Sequence, residues 1–212
     1  MPEKDFQNKP EEVPEISYNE EAIRKAVHAF SIIIPLFYFF APRGITLLIL
    51  MPAFVTAIIL DLARMTENPI WTKFGVHLFG KMIRPKEKEG FTGSSYILTT
   101  DFLAILMFDK PVAVCAMAFI ALGDATAAMV GRRWGRHKFG NKSFEGSSGF
   151  FVAAAICAIL LHLVYHDSFP LIVGLAGALL ATFVEALSTR SDDNLTVPII
   201  SGLFMQIFLA FL

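Results

Sequence analysis

Cysteine is nearly absent. Cys115 and Cys157 are the only two in 212 residues, both lie inside apolar runs, and their spacing suits neither a metal site nor a redox pair. Each is expected to be a small buried hydrophobe. Charge is scarce too: 17% of residues are charged against 55% hydrophobic, 21 are Phe, and the mean hydropathy is +0.57. An ordinary soluble domain of this length carries less apolar surface, so the composition points to an integral membrane protein with one helical domain. The opening of a cleaved signal peptide is missing, because residues 1–19 are polar and rich in Glu and Pro and the apolar run begins only after Arg24 and Lys25. That tail is expected to be disordered. No internal repeat is visible, which weakens a transporter built from inverted halves.

What the chain has in quantity is apolar runs. Seven segments approach the roughly 20 residues needed to cross about 30 Å of hydrocarbon; they are 26–41, 45–63, 95–108, 112–130, 147–165, 171–187 and 197–212. The expected fold class is therefore all-α, a polytopic membrane protein with about seven transmembrane helices and residues 20–212 forming a single domain. Between the second and third runs, residues 68–85 place Ile70, Trp71, Phe74, Leu78 and Met82 at helical spacing opposite Lys73, His77 and Lys81. This pattern predicts a helix in the headgroup plane.

The basic residues choose the orientation. With seven spans, only Arg43 and Lys110 of the 18 Lys and Arg fall on the face bearing the C-terminus. The remainder share a face with the N-terminus, which the positive-inside rule makes cytoplasmic.

Acids within the apolar runs are costly unless they meet a polar cavity, a partner or a metal. Asp124 lies roughly 9 Å below the cytosolic end of its predicted span at 1.5 Å per residue. Asp101 and Glu185 lie at a similar shallow level, while Asp61 and His28 are near enough to span ends to be interfacial. No charged residue sits deep in the outer half of any span. That distribution favours a site open to the cytosol over a proton or ion pathway.

Beyond Asp124 the chain turns basic. From Gly131 to Gly146 it carries Arg132, Arg133, Arg136, His137, Lys138 and Lys142 against the single acid Glu145. The arginines also serve as a positive-inside stop signal, but Gly131, Gly135, Gly140 and Gly146 allow backbone amides to approach an anion. "GRHKFGNKS" is a near miss to a Walker A loop, with Asn141 intervening before the Lys and a membrane helix rather than a strand preceding it. The ingredients still suit a polyphosphate, since Lys side chains reach phosphate oxygens and the next helix presents its N-terminus. Asp124 would then hold Mg2+ against those oxygens. On the same face, "STRSDDNLTVP" at 188–198 offers Asp192, Asp193 and Asn194, which suit helix capping, a second metal ligand or a base for an attacking hydroxyl.

Four strings together, "RKAVH" from Arg24, "GSSYIL" from Gly93, "LGDATAAMVGRRWGRHKFGNKSFEGS" from Leu122 and "VEALSTRSDDNLTVP" from Val184, resemble the membrane-embedded CTP-dependent lipid-alcohol kinases. These comprise dolichol kinase, phytol kinase and the yeast-type diacylglycerol kinase, and the "DDNLTVP" ending looks closest to the phytol and prokaryotic polyprenol kinases. The resemblance implies phosphorylation of an isoprenoid alcohol (polyprenol, dolichol, phytol or geranylgeraniol) or diacylglycerol, with CTP as donor. The expected catalytic residues are Asp124, Asp192, Asp193 and Glu145, with Mg2+ on Asp124 and Asp193. Arg132, Arg136, Lys138, Lys142, Ser143, Gly146, Ser147 and Asn194 are expected to bind the nucleotide. Arg24, Lys25, His28, Asp101, Glu185 and Arg190 are further candidates. Expected partners are CTP, the lipid alcohol and surrounding membrane lipids, without nucleic acid; oligomeric state is left open. The central motif is also similar to CDP-diacylglycerol synthases, which makes cytidylyl transfer the alternative and a non-enzymatic transporter the second alternative.

Overall fold

The computed structural model describes residues 30–66, 68–69, 90–140, 142–188 and 192–212. The predicted tail, Arg24, Lys25, His28, Asn141, Arg190 and nearly all of the predicted in-plane helix lie outside the described residues. Among the described residues there are seven α-helices: α1 (Ile33–Phe40), α2 (Arg43–Met65), α3 (Gly93–Met107), α4 (Lys110–Trp134), α5 (Phe144–Val164), α6 (Leu171–Leu187) and α7 (Asp193–Ala210). They correspond one for one to the seven predicted segments. Of these, α2, α4, α5 and α7 are long and apolar enough to cross a membrane, and α3 and α6 are shorter apolar helices.

Two features depart from the expectation. Between α4 and α5 the chain forms a small antiparallel hairpin, β1 (Lys138–Phe139) with β2 (Lys142–Ser143), so the connection is not simply a loop. Gly140 turns the hairpin at φ 57°, a left-handed conformation that glycine adopts without a Cβ penalty. The flanking helices also extend past their apolar runs. α4 continues to Trp134 and carries Arg132 and Arg133 in its last turn, where cations complement the helix dipole. α5 begins at Phe144 because the Ser143 hydroxyl caps it, accepting from the Gly146 amide at 3.1 Å.

α4 is the axis of the bundle. It packs against α1, α3, α5, α6 and α7, and every residue from Pro111 to Ala121 is buried. A helix apolar all round is one surrounded by protein. α2, packed chiefly on α3, is its opposite: 17% of its apolar window is buried, against 61% in α4. Small residues permit the close crossings, as expected where lipid supplies no drive for helices to associate. A Cβ on Gly123 of α4 would come within 2.5 Å of the Phe150 ring of α5, and one on Gly149 within 2.9 Å of Val130.

Polar groups fasten the two ends of the bundle. Arg43 at the start of α2 donates from Nε to the Ile105 carbonyl and from Nη2 to that of Leu106, both at 2.6 Å, and from Nη2 to Phe108 at 3.2 Å. It thereby satisfies carbonyls that the end of α3 leaves open. Lys110 donates to Ala41 and lies 5.4 Å from the Tyr38 ring centroid, while Gln206 and Asp109 exchange two hydrogen bonds. At the opposite end, Asp61, which its position near a span end marks as interfacial, is buried among protein groups. Its carboxylate pairs with Arg64 at 3.0 Å and accepts from the Thr92 amide and hydroxyl at 2.8 and 3.1 Å. Arg64 also donates to the Gly90 carbonyl, so the cluster joins the end of α2 to the start of α3.

Replacing Arg43 with Ala strips partners from three carbonyls. The expected cost is about 1–3 kcal/mol, measured as a lower unfolding midpoint of the detergent-solubilised protein; an unchanged midpoint would show the fork to be dispensable.

Candidate active site

The last turns of α4 present one polar face. Asp124, Ala127, Ala128, Gly131 and Arg132 recur at three- and four-residue intervals and therefore line up on one side of the helix. Opposite them stand the hairpin lysines Lys138 and Lys142, the start of α5 at Gly146 and Ser147, and Glu185 near the end of α6. Together with Gly135 and Ser143 these groups enclose a cleft of about 460 Å³. That volume is in the range of small-molecule sites.

Alanines and glycines provide the room. A Cβ on Gly146 would sit 3.0 Å from the Ala127 carbonyl and 3.1 Å from Ser143 Oγ, and one on Gly135 would strike the Gly131 carbonyl and approach Ser143 Oγ to 2.8 Å. Gly131, Gly135 and Gly146 thus let α4, the hairpin and α5 close around the Ser143 hydroxyl. This requirement of packing stands beside the backbone freedom read from the sequence.

Lys142 is the electrostatic centre. Its Nζ lies 2.7 Å from Glu185 Oε1 and 3.0 Å from Asp193 Oδ2, and it also donates to the Glu185 backbone carbonyl. The hairpin is thereby tied to α6 and to α7 at once. Glu185 is 4% exposed, and its second oxygen, Oε2, is buried without a hydrogen-bond partner among the described residues. Ser147 Oγ is likewise buried and unpartnered. Both residues line the cleft.

Of the residues expected from sequence, the structure brings Asp124, Arg132, Lys138, Lys142, Ser143, Gly146, Ser147 and Glu185 to one cleft. Others stand apart from its lining. Asp192 caps α7, accepting from the Asn194 amide at 3.0 Å. Asp193 sits behind Lys142. Glu145 turns back to the hairpin, where it accepts from the His137 amide at 3.2 Å and lies 2.7 Å from His137 Nδ1. Arg136 is exposed, and Asp101 is buried within α3. Ala127 and Ala128 were not singled out from sequence, although their spacing from Asp124 carried the signal.

Among the described residues no three of His, Cys, Asp and Glu form a metal-binding group. Asp124 in the cleft, with cationic side chains beside it, fits a cation that arrives with phosphates, as Mg2+ commonly does with one or two carboxylates.

Comparison with known proteins gives the chain's relatives. An uncharacterized protein of Rickettsia prowazekii is 35% identical over 199 residues, covering 90% of this chain and 96% of that protein. The CTP-dependent diacylglycerol kinase 1 of Schizosaccharomyces pombe is 28% identical over 159 residues, covering 66% of this chain and 71% of the kinase. The probable phytol kinase 3 of Glycine max is 35% identical over 137 residues, covering 58% of this chain and 43% of the kinase. The chain is thus similar to CTP-dependent diacylglycerol kinases and to phytol kinases. No family model and no solved structure matches this lipid-alcohol kinase homologue significantly.

The ion pairs yield a stability test. Lys142→Met leaves the buried Glu185 carboxylate without its cation, at an expected cost of about 3 kcal/mol. Adding Glu185→Gln removes the stranded charge, so the double variant is expected to unfold at a higher temperature than Lys142→Met alone. Equal midpoints would mean that the pair does not hold the hairpin.

Proposed function

We propose that this protein transfers the γ-phosphoryl group of CTP to the hydroxyl of a membrane isoprenoid alcohol or diacylglycerol. The observation that carries the reading is the convergence of Arg132, Lys138 and Lys142 with Asp124 and the N-terminus of α5 on a single cleft at one end of an apolar bundle. The names of the relatives support CTP as donor and a lipid alcohol as acceptor. In the reaction an acceptor oxygen–phosphorus bond forms, the bond from the γ-phosphorus to the β–γ bridging oxygen breaks, and CDP leaves. The hydroxyl proton is released to solvent by way of a cleft carboxylate.

The residues divide this work by charge. Arg132, Lys138 and Lys142 neutralise the polyphosphate, with Lys142 keeping Glu185 and exchanging Asp193 for a phosphate oxygen. The Gly146 and Ser147 region adds the favourable N-terminal dipole of α5. Asp124 would hold Mg2+ together with Asp193, and such an ion would supply further charge neutralisation. Asp192 and Asn194 set the start of α7 and so the place of Asp193. Glu145 fixes the hairpin through His137. Phosphoryl transfer needs little more than positioning and charge neutralisation, which a cleft at a water–lipid boundary provides to a soluble nucleotide and a membrane-bound hydroxyl together.

The concentration of basic residues at the cleft end supports a cytoplasmic N-terminus and active site. Residues 20–212 act as one transmembrane kinase domain in this reading.

The deciding assay supplies CTP with phytol, geranylgeraniol, a polyprenol, diacylglycerol or phosphatidate to the purified protein. CDP and a lipid monophosphate are expected, whereas pyrophosphate and a CDP-lipid would replace the kinase with a cytidylyltransferase. Asp124→Asn is expected to remain folded and extractable while turnover falls at least roughly 100-fold; wild-type turnover would remove Asp124 from the site.

A further inference from the structure

Two residues that line the cleft each carry a buried oxygen without a hydrogen-bond partner among the described residues, Glu185 Oε2 and Ser147 Oγ. An unsatisfied buried polar atom is costly, and in a binding site it marks where a ligand atom completes the set. The two differ in what they offer. The carboxylate oxygen of an ionised Glu185 accepts a hydrogen bond, whereas the serine hydroxyl both donates and accepts. An alcohol needs this combination, since its O–H must find an acceptor and its oxygen a donor. A phosphate oxygen gains nothing from a carboxylate oxygen, and it is served by Arg132, Lys138 and Lys142 in the same cleft.

We propose that Glu185 Oε2 and Ser147 Oγ bind the hydroxyl of the lipid acceptor, a subsite distinct from the cationic groups that take the phosphates. The assignment rests on the kinase reading and gives its acceptor a place. Glu185 suits the task because it cannot swing away. Its Oε1 is held by Lys142 at 2.7 Å, and Lys142 is braced from α7 by Asp193 at 3.0 Å. Its position near the end of α6 (Leu171–Leu187) and that of Ser147 in the first turn of α5 place both at one end of the apolar helices. In the kinase reading the lipid alcohol presents its hydroxyl at that end. Selection of an alcohol follows, because an acceptor without the O–H leaves both oxygens unpaired, a stronger rejection than any apolar chain contact supplies.

The test measures kcat/KM for a soluble short-chain isoprenoid alcohol and KM for CTP in the full-length protein in nanodiscs. Glu185→Gln keeps the size and an oxygen for Lys142 but turns an amide donor toward the cleft. It is expected to lower kcat/KM for the alcohol roughly 10- to 100-fold, the loss of a hydrogen bond to a charged group, with KM for CTP changed less than about threefold. Ser147→Ala is expected to lower the same parameter roughly fivefold to tenfold, the loss of one neutral hydrogen bond. A tenfold rise in KM for CTP with the alcohol parameters intact would overturn the assignment and make Glu185 a brace for Lys142 alone. So would alcohol kinetics within about twofold of wild type in Ser147→Ala, which decides the matter should Glu185→Gln not fold. Wild-type protein that forms no lipid phosphate from CTP would sink the kinase reading and this subsite together. An active wild type with unaltered variants would sink the subsite only.

Discussion

The ammonium group of Lys142 joins the hairpin to two helices at once. It sits at the tip of a hairpin with two-residue strands, too short to stand alone, and it reaches Glu185 on α6 and Asp193 on α7. Without that bridge the hairpin would have its own ladder, the His137 to Glu145 contacts and the Ser143 cap to hold it over the cleft. A buried ion pair is a weak source of net stability but a strong source of specificity, because removing one partner strands the other. Here the specified arrangement is a cleft whose cation is held between carboxylates of α6 and α7, and in the proposed reaction that cation also meets the polyphosphate.

Close packing makes the bridge possible. Gly131, Gly135 and Gly146 bring α4, the hairpin and α5 together around Ser143, and Gly123 admits the Phe150 ring below. In a bundle surrounded by lipid, small residues and polar bonds do what water does for soluble proteins. The opposite end follows the same logic with other groups, Arg43 filling the open carbonyls of α3 and Lys110 that of Ala41. The two basic residues that the sequence assigns to that face are thus also structural fasteners. Asp61 and Arg64 do the corresponding work at the cleft end, between α2 and α3.

The helices were readable because a span is written locally: an apolar run of sufficient length must satisfy its own backbone in lipid, and only a helix does so within one segment. Their ends were less readable. α4 and α5 extend beyond their apolar runs because Arg132 and Arg133 complement the end of one and Ser143 caps the other, signals carried by single polar residues. The hairpin was not anticipated, since Lys-Phe and Lys-Ser are too short to show a strand pattern. The enclosure of Asp61 was not readable for a related reason. Depth along a helix measures distance from the interface, but burial depends on what packs alongside, and Thr92 and Arg64 enclose it.

By itself the sequence determined that the chain is a helical membrane protein, that its basic residues gather on one face, and that Asp124, Lys138 and Lys142 belong to one motif. Each of these follows from composition or from neighbours along the chain. Only the tertiary structure decided which acids share the cleft. Lys142 and Glu185 are 43 residues apart, and Lys142 and Asp193 are 51 apart; their meeting depends on how α6 and α7 pack beside α4 and α5. The same packing leaves Asp192 as a helix cap and Glu145 as a hairpin strut, and brings Glu185, with one unpartnered oxygen, to the same cleft as Asp124. Residue type and depth are local properties, whereas the company a buried carboxylate keeps is a property of the fold.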